Sequence, residues 1–136
     1  MDDCRFCEIV KNGSDLVLYE NEHNMAILDH APGSRGHLFI IPKKHYTNIF
    51  DIPREEYLKM TDLSYVICHQ VTEILEADGA KIAMNNGECA DQKIYHIHLH
   101  VMPMFKDRDT IIDVNNTRFS EDIKAVSYTH LTLPTN

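Results

Sequence analysis

Residues 93–103 read KIYHIHLHVMP, and within them His96, His98 and His100 alternate strictly with Ile97, Leu99 and Val101. A repeat of two is the period of a β-strand, whose successive side chains point to opposite faces. Three imidazoles therefore line one face, spaced roughly 6.5 to 7 Å apart. The aliphatic residues point the other way, into a core. A face that carries three neighbouring titratable rings is arranged for chemistry.

Working outward, the stretches LVLYEN (16–21), NMAILD (24–29), GHLFIIP (36–42) and AKIAMN (80–85) read as four further strands. Pro42 ends the third, because proline has no N–H to give to a ladder. From about Arg54 to Ala77 the period changes: Tyr57, Met60, Leu63, Ile67, Val71 and Ile74 recur three or four residues apart, the mark of an amphipathic helix. Asp51 and Pro53 mark its start, Glu55 and Glu56 suit the positive end of its dipole, and Gly79 is expected to end it. Asn86-Gly87, in the loop NGECADQK, is a turn signal suited to a hairpin-like link between the last two strands. The expected fold class is α+β, an antiparallel sheet of about five strands with one long helix. That helix should bury the aliphatic side of the last strand and leave the histidine side open.

The chain has 136 residues, of which 43% are hydrophobic and 25% charged, as expected of one soluble domain with a real core. No apolar run approaches the roughly 20 residues of a membrane helix, and MDDCRFCEIV lacks the build of a signal peptide. The reading is a cytoplasmic protein. A net charge of −8 argues against nucleic acid and anionic membranes as partners. A small phosphate-bearing substrate is compatible with it, since backbone amides can hold one phosphate locally. Four cysteines in such a chain do not suggest a disulfide framework. Cys4 and Cys7 form a C-x-x-C, which stands for a metal, a redox pair or chance.

The last eleven residues, VSYTHLTLPTN (126–136), carry no charge and open no recognisable element. They resemble the conceptual translation of a sequencing-library adaptor, so 126–136 is read as a scar and 1–125 as the domain. RFSEDIKAV (118–126) then begins a helix that is cut short.

For the three histidines the residues alone leave three readings open. They are surface or satisfied core histidines, or ligands of a catalytic metal with an open position for water, or a nucleophilic imidazole flanked by donors to an anionic group.

NNGECADQKIYHIHLHVMP resembles the signature of the histidine-triad (HIT) superfamily, and AILDHAPGSRGHLFIIPKKHYTNIF resembles that family's upstream block. The similarity runs from Cys4 to about Arg108. It implies hydrolysis or transfer at the α-phosphate of a nucleotide, with purine nucleoside phosphoramidates as the leading substrates. Dinucleoside polyphosphates are the nearest rival, and a non-catalytic nucleotide-binding or interaction module is a rival of another class. Within the triad His96, His98 and His100, the resemblance makes His98 the nucleophile, its second nitrogen donating to a backbone carbonyl. His100 would bond the phosphate or leaving atom and pass it a proton. Asn85, Gln92 and the backbone near Gly87 would hold the non-bridging oxygens, Asp29 the ribose, and Phe6, Ile9 and Ile27 the purine. A homodimer is the usual state of the family.

Cys4 and Cys7 also match the family's zinc-bearing branch, in which the set is completed by His45 and His96. Four protein ligands leave no vacancy, so the implied zinc is structural and belongs to a short N-terminal segment. The chain departs from the family at Asp91, where glycine is usual, at Lys93 and His30, and at Met104, where arginine is frequent. These departures bear on the leaving group and the base more than on the nucleophile.

Overall fold

A computed structural model describes residues 4–29 and 36–106, and it contains five strands and two α-helices. The strands are β1 (Val17–Glu20), β2 (Asn24–Leu28), β3 (Leu38–Pro42), β4 (Gly79–Ala83) and β5 (Leu99–Met104). The helices are α1 (Arg5–Asn12) and α2 (Arg54–Leu75). The sheet runs β1-β2-β3-β5-β4, and each neighbouring pair is antiparallel. The neighbouring strands β2 and β3 are buried throughout and apolar except for Asn24, as expected for strands covered on both faces.

Helix α2 lays Met60, Leu63, Ile67, Val71 and Leu75 on one face of the sheet, against Leu28, Leu38, Ile40, Ile97, Leu99 and Val101. Met60, Leu63, Ile67 and Val71 are the stripe expected from the helical period, while Tyr57 and Ile74 pack against it half-buried and Leu75 takes the last buried place. The helix stops at Leu75, before the expected glycine, because Glu76 takes the left-handed conformation (φ 55°) and sends its N–H back to the Glu73 and Thr72 carbonyls. Gly79 opens β4 instead.

The second face is not open, which corrects the expectation. Helix α1 lies over it and drives Phe6 into a smaller core of Val17, Met25, Ile27, Phe39 and Ile41. Its signals were present in the sequence: Cys4 as a cap, Glu8 in the first turn, Lys11 in the last, Gly13 beyond the end. Eight residues are too few for the apolar period to declare itself.

The ladder of β5 begins only at Leu99, so His96 and His98 precede the strand that the sequence assigned to them. Carrying on the β3–β5 register brings Ile97 opposite Pro42, which has no N–H, and pairing stops there. The Ile97 N–H donates to the Tyr46 carbonyl instead, at 2.8 Å. Alternation survives without the ladder: Ile97, Leu99 and Val101 join the α2 core, while His96 and His98 meet Phe6 on the other side. The tail 126–136, the cut-short helix and His30 lie outside the described residues.

Candidate functional site

His98 is 6% exposed and His96 fully buried, because Phe6 packs on both rings, at centroid distances of 5.3 and 5.8 Å. The N–H at His98 Nδ1 donates to the His96 carbonyl oxygen, 2.8 Å away. That bond leaves Nε2 as the nitrogen with a free lone pair, the tautomer that nucleophilic attack requires. Burial holds the His98 imidazole below its ordinary pKa, the bond to the His96 carbonyl offsetting part of this. The ring is therefore neutral at pH 7.

His100, on β5 facing Phe39 of β3, sits 5.0 Å from the His98 ring. Burial, and then the neighbouring imidazoles, push its pKa down to about 4. An anionic phosphate alongside would favour the protonated form. His100 has a partner that sequence reasoning missed. His37 Nε2 lies 2.9 Å from His100 Nδ1, and His37 Nδ1 lies 3.5 Å from the Asp29 carboxylate. A carboxylate only accepts, so it favours the proton on His37 Nδ1, and His37 Nε2 then accepts from His100 Nδ1–H. The order Asp29–His37–His100 has the form of an oriented acid–base pair. The signal was the alternation of His37, just before β3, with Phe39 and Ile41 within it, which places His37 on the histidine side.

In the loop before His96, two of the expected donors, Gln92 and the Gly87 amide, are engaged within the protein. Gln92, 4% exposed, spends its whole amide group on the protein. Its oxygen accepts from Gly87 N (2.8 Å) and Asn48 Nδ2 (3.1 Å), and its nitrogen donates to the Thr47 (2.7 Å) and Ile94 (3.0 Å) carbonyls. In this structure Gln92 and the Gly87 amide brace the loop rather than face a phosphate. Asn85 donates to the Asp91 carbonyl at 3.3 Å, a weaker hold on a half-buried side chain. Asp91 takes a left-handed backbone (φ 64°), the conformation that glycine adopts most easily. Of the residues assigned to a purine, Phe6 and Ile27 are fully buried in the smaller core and Ile9 packs at its edge.

Cys4, Cys7, His45 and His96 come together from the N-cap and first turn of α1, the segment after β3 and the segment before β5. Their ligand atoms all lie within 4.8 Å of one another. The sulfur–nitrogen distances are 3.4 Å for Cys4–His96, 3.2 Å for Cys7–His45 and 3.5 Å for Cys7–His96. A tetrahedral zinc with bonds of about 2.3 Å to sulfur and 2.05 Å to nitrogen has sulfur–nitrogen edges of about 3.6 Å, so the donor set has the right size. His96 is also aimed correctly: its Nε2–H donates to the Pro42 carbonyl at 2.8 Å, leaving Nδ1 to face the sulfurs. Burial, with Cys4 adding to it, raises the Cys7 thiol to about 11, and burial pushes His96 down to about 4. A cation reverses the first, since a coordinated thiol is deprotonated. His98 and His100 stand outside this set.

Known proteins share this sequence pattern and fold. The HIT domain model matches residues 10–107. Over 110 residues the chain is 36% identical to adenylylsulfatase HINT3 of Arabidopsis thaliana, covering 80% of this chain and 55% of that protein. It is 34% identical over 110 residues to adenosine 5′-monophosphoramidase HNT1 of Saccharomyces cerevisiae, covering 80% of this chain and 67% of that one. The crystal structure of a zinc-bound histidine triad family protein from Mycobacterium smegmatis superposes with a TM-score of 0.82 at 33% identity, covering 94% of this chain and 95% of that one. With triad, fold and family model in agreement, the chain belongs to the histidine-triad (HIT) family.

Proposed function

We propose that the protein is a nucleotide hydrolase or transferase that acts at the α-phosphate of purine nucleoside phosphoramidates or related nucleotides. The observation that carries this reading is the 2.8 Å bond from His98 Nδ1 to the His96 carbonyl, which leaves Nε2 unprotonated on a neutral ring. His98 Nε2 attacks phosphorus, and a phosphorus–nitrogen bond forms as the bond to the leaving group breaks. His100, held at Nδ1 by His37 and protonated at Nε2 once the anionic phosphate lies alongside, passes the departing atom that second proton. Water then attacks the nucleotidyl-His98, and the histidine leaves with its lone pair restored. Asp29 binds the ribose, and Asn85 is the side-chain donor left in the loop for a non-bridging oxygen. Ile9, backed by Phe6 and Ile27, contacts the base. The activities named for HINT3 and HNT1 support this class of substrate, with sulfate or an amine as the departing group.

Cys4, Cys7, His45 and His96 hold a structural zinc in this reading. The zinc, when bound, supplies a cross-link between α1 and the segment bearing His98. A homodimer is also proposed: β4 is one of the two outer strands of the order β1-β2-β3-β5-β4, and its Ile82 is 50% exposed. A second copy would cover that edge. No helix among the described residues is long and apolar enough to cross a membrane. The cytoplasm is the proposed location, since the four cysteines are free thiols.

The test is turnover of an adenosine phosphoramidate, an adenylyl sulfate and a diadenosine polyphosphate, with His98→Gly in parallel. Nucleotide release by the wild type and not by the variant is expected, fastest from the phosphoramidate. Equal release by both proteins would defeat the reading.

A further inference from the structure

The C-x-x-C that ties α1 to the site is placed for a second kind of chemistry. Cys4 caps α1, and the Cys7 N–H donates to its sulfur at 3.3 Å. The first turn is closed there, the Glu8 N–H bonding the Cys4 carbonyl at 3.1 Å. The contact of the Cys7 N–H with the Cys4 sulfur draws the two residues together as a disulfide requires, its Cα atoms being about 4.4–6.8 Å apart. The two sulfurs already lie within 4.8 Å of each other. Neither cysteine is buried outright, and Cys4 lines a surface cavity of about 420 Å³ beside Arg5, His45 and Lys93. A solvent-borne oxidant has a path to one sulfur, and the other is in reach to resolve the product. Structural thiols sealed in a core lack both features.

We infer that Cys4 and Cys7 are a redox-modification site at which a hydroperoxide forms a disulfide and expels the metal, slackening the grip of α1 on the nucleophile. The Cys4 thiolate attacks a peroxide oxygen and the O–O bond breaks. One oxygen leaves as water or alcohol after taking a proton, and a sulfenic acid remains on Cys4. The Cys7 thiolate then attacks that sulfur, the S–S bond forms, and hydroxide departs to become water. Two electrons pass from sulfur to the peroxide. With both sulfurs joined, only His45 and His96 remain as ligands, and the metal is lost. The consequence reaches His98 by two short routes. His96, a ligand, supplies the carbonyl that orients the His98 ring, and Phe6, between the two cysteines, packs against that ring.

The metal release rests on the zinc reading; the pairing of the thiols does not. The experiment treats the purified full chain with stoichiometric hydrogen peroxide. Intact mass, peptide mapping, and zinc freed to a chromogenic chelator are followed, beside Cys7→Ser and a Cys68→Ser/Cys89→Ser double variant. The expected result is a Cys4–Cys7 disulfide in the wild type and the double variant, with one zinc freed per disulfide and turnover down about tenfold or more. A thiol reductant with added zinc should reverse all three. Oxidation confined to Cys89 or Cys68, with Cys4 and Cys7 still reduced, would overturn the inference. So would a disulfide formed with zinc retained. A Cys4–Cys7 disulfide in protein purified without any zinc would support the thiol pair and defeat the zinc reading alone.

Discussion

A single imidazole illustrates how far residues can be read one at a time. The pattern H-x-H-x-H drew attention to His98 but left three readings open, and the family resemblance singled it out; the structure adds its bond to a carbonyl two residues earlier. His37 was not legible, since its meaning depends on register: Phe39 pairs with His100 across β3 and β5, and His37 lies diagonally beyond it. No residue pattern in β3 states which strand will lie alongside. If His37 positions His100, His37→Ala should lower kcat roughly tenfold or more with KM almost unchanged. His37→Gln, whose amide oxygen can still accept from His100 Nδ1–H, should recover much of the loss. Steady-state kinetics of both variants checks this; a change confined to KM, or equal loss in the two, would show that His37 does not act through His100.

At the scale of elements, the α2 stripe and the aliphatic strands could be read because their periods run long enough to exclude other assignments. The eight-residue α1 could not be, and its absence from the reading produced the error that the histidine face is open. The loop 84–98 shows a different limit. Gln92 is a sound phosphate donor by residue type, yet four partners from three segments consume it, and only the folded loop reveals that. Removing the amide strands Gly87 N–H and two carbonyls in a partly buried loop, where each unmet group costs about 1–3 kcal/mol before water compensates. Gln92→Ala should therefore lower substrate-free stability by about 2 kcal/mol or more, measured by urea unfolding. Unchanged stability with weakened nucleotide binding would return Gln92 to the phosphate.

For the whole molecule, buried neutral imidazoles make stability a function of pH. His96 and His100 fall from 6.5 to about 4 on burial, and His37 and His98 shift the same way. Below pH 6.5 the unfolded chain takes up protons that the folded one refuses, so unfolding is favoured as pH falls, until the folded values near 4 are passed. The contribution is complete above 6.5 and lost below it, on the order of 1–3 kcal/mol for each of His96 and His100. Metal-free protein should thus unfold at steadily lower urea between pH 6.5 and about 4, with a shallower fall in His100→Asn; a flat profile would contradict the burial account. Two helices and a sheet converge to keep one of these rings dry, oriented and uncharged, and the claim that follows concerns its Nε2. Rapid quenching of the enzyme with an adenosine phosphoramidate, followed by peptide mass spectrometry under conditions that preserve phosphorus–nitrogen bonds, examines that atom directly. The account predicts adenylate on the peptide containing His98 during turnover and none in His98→Gly. Turnover with an unmodified His98 peptide, or adenylate on another residue, would contradict it.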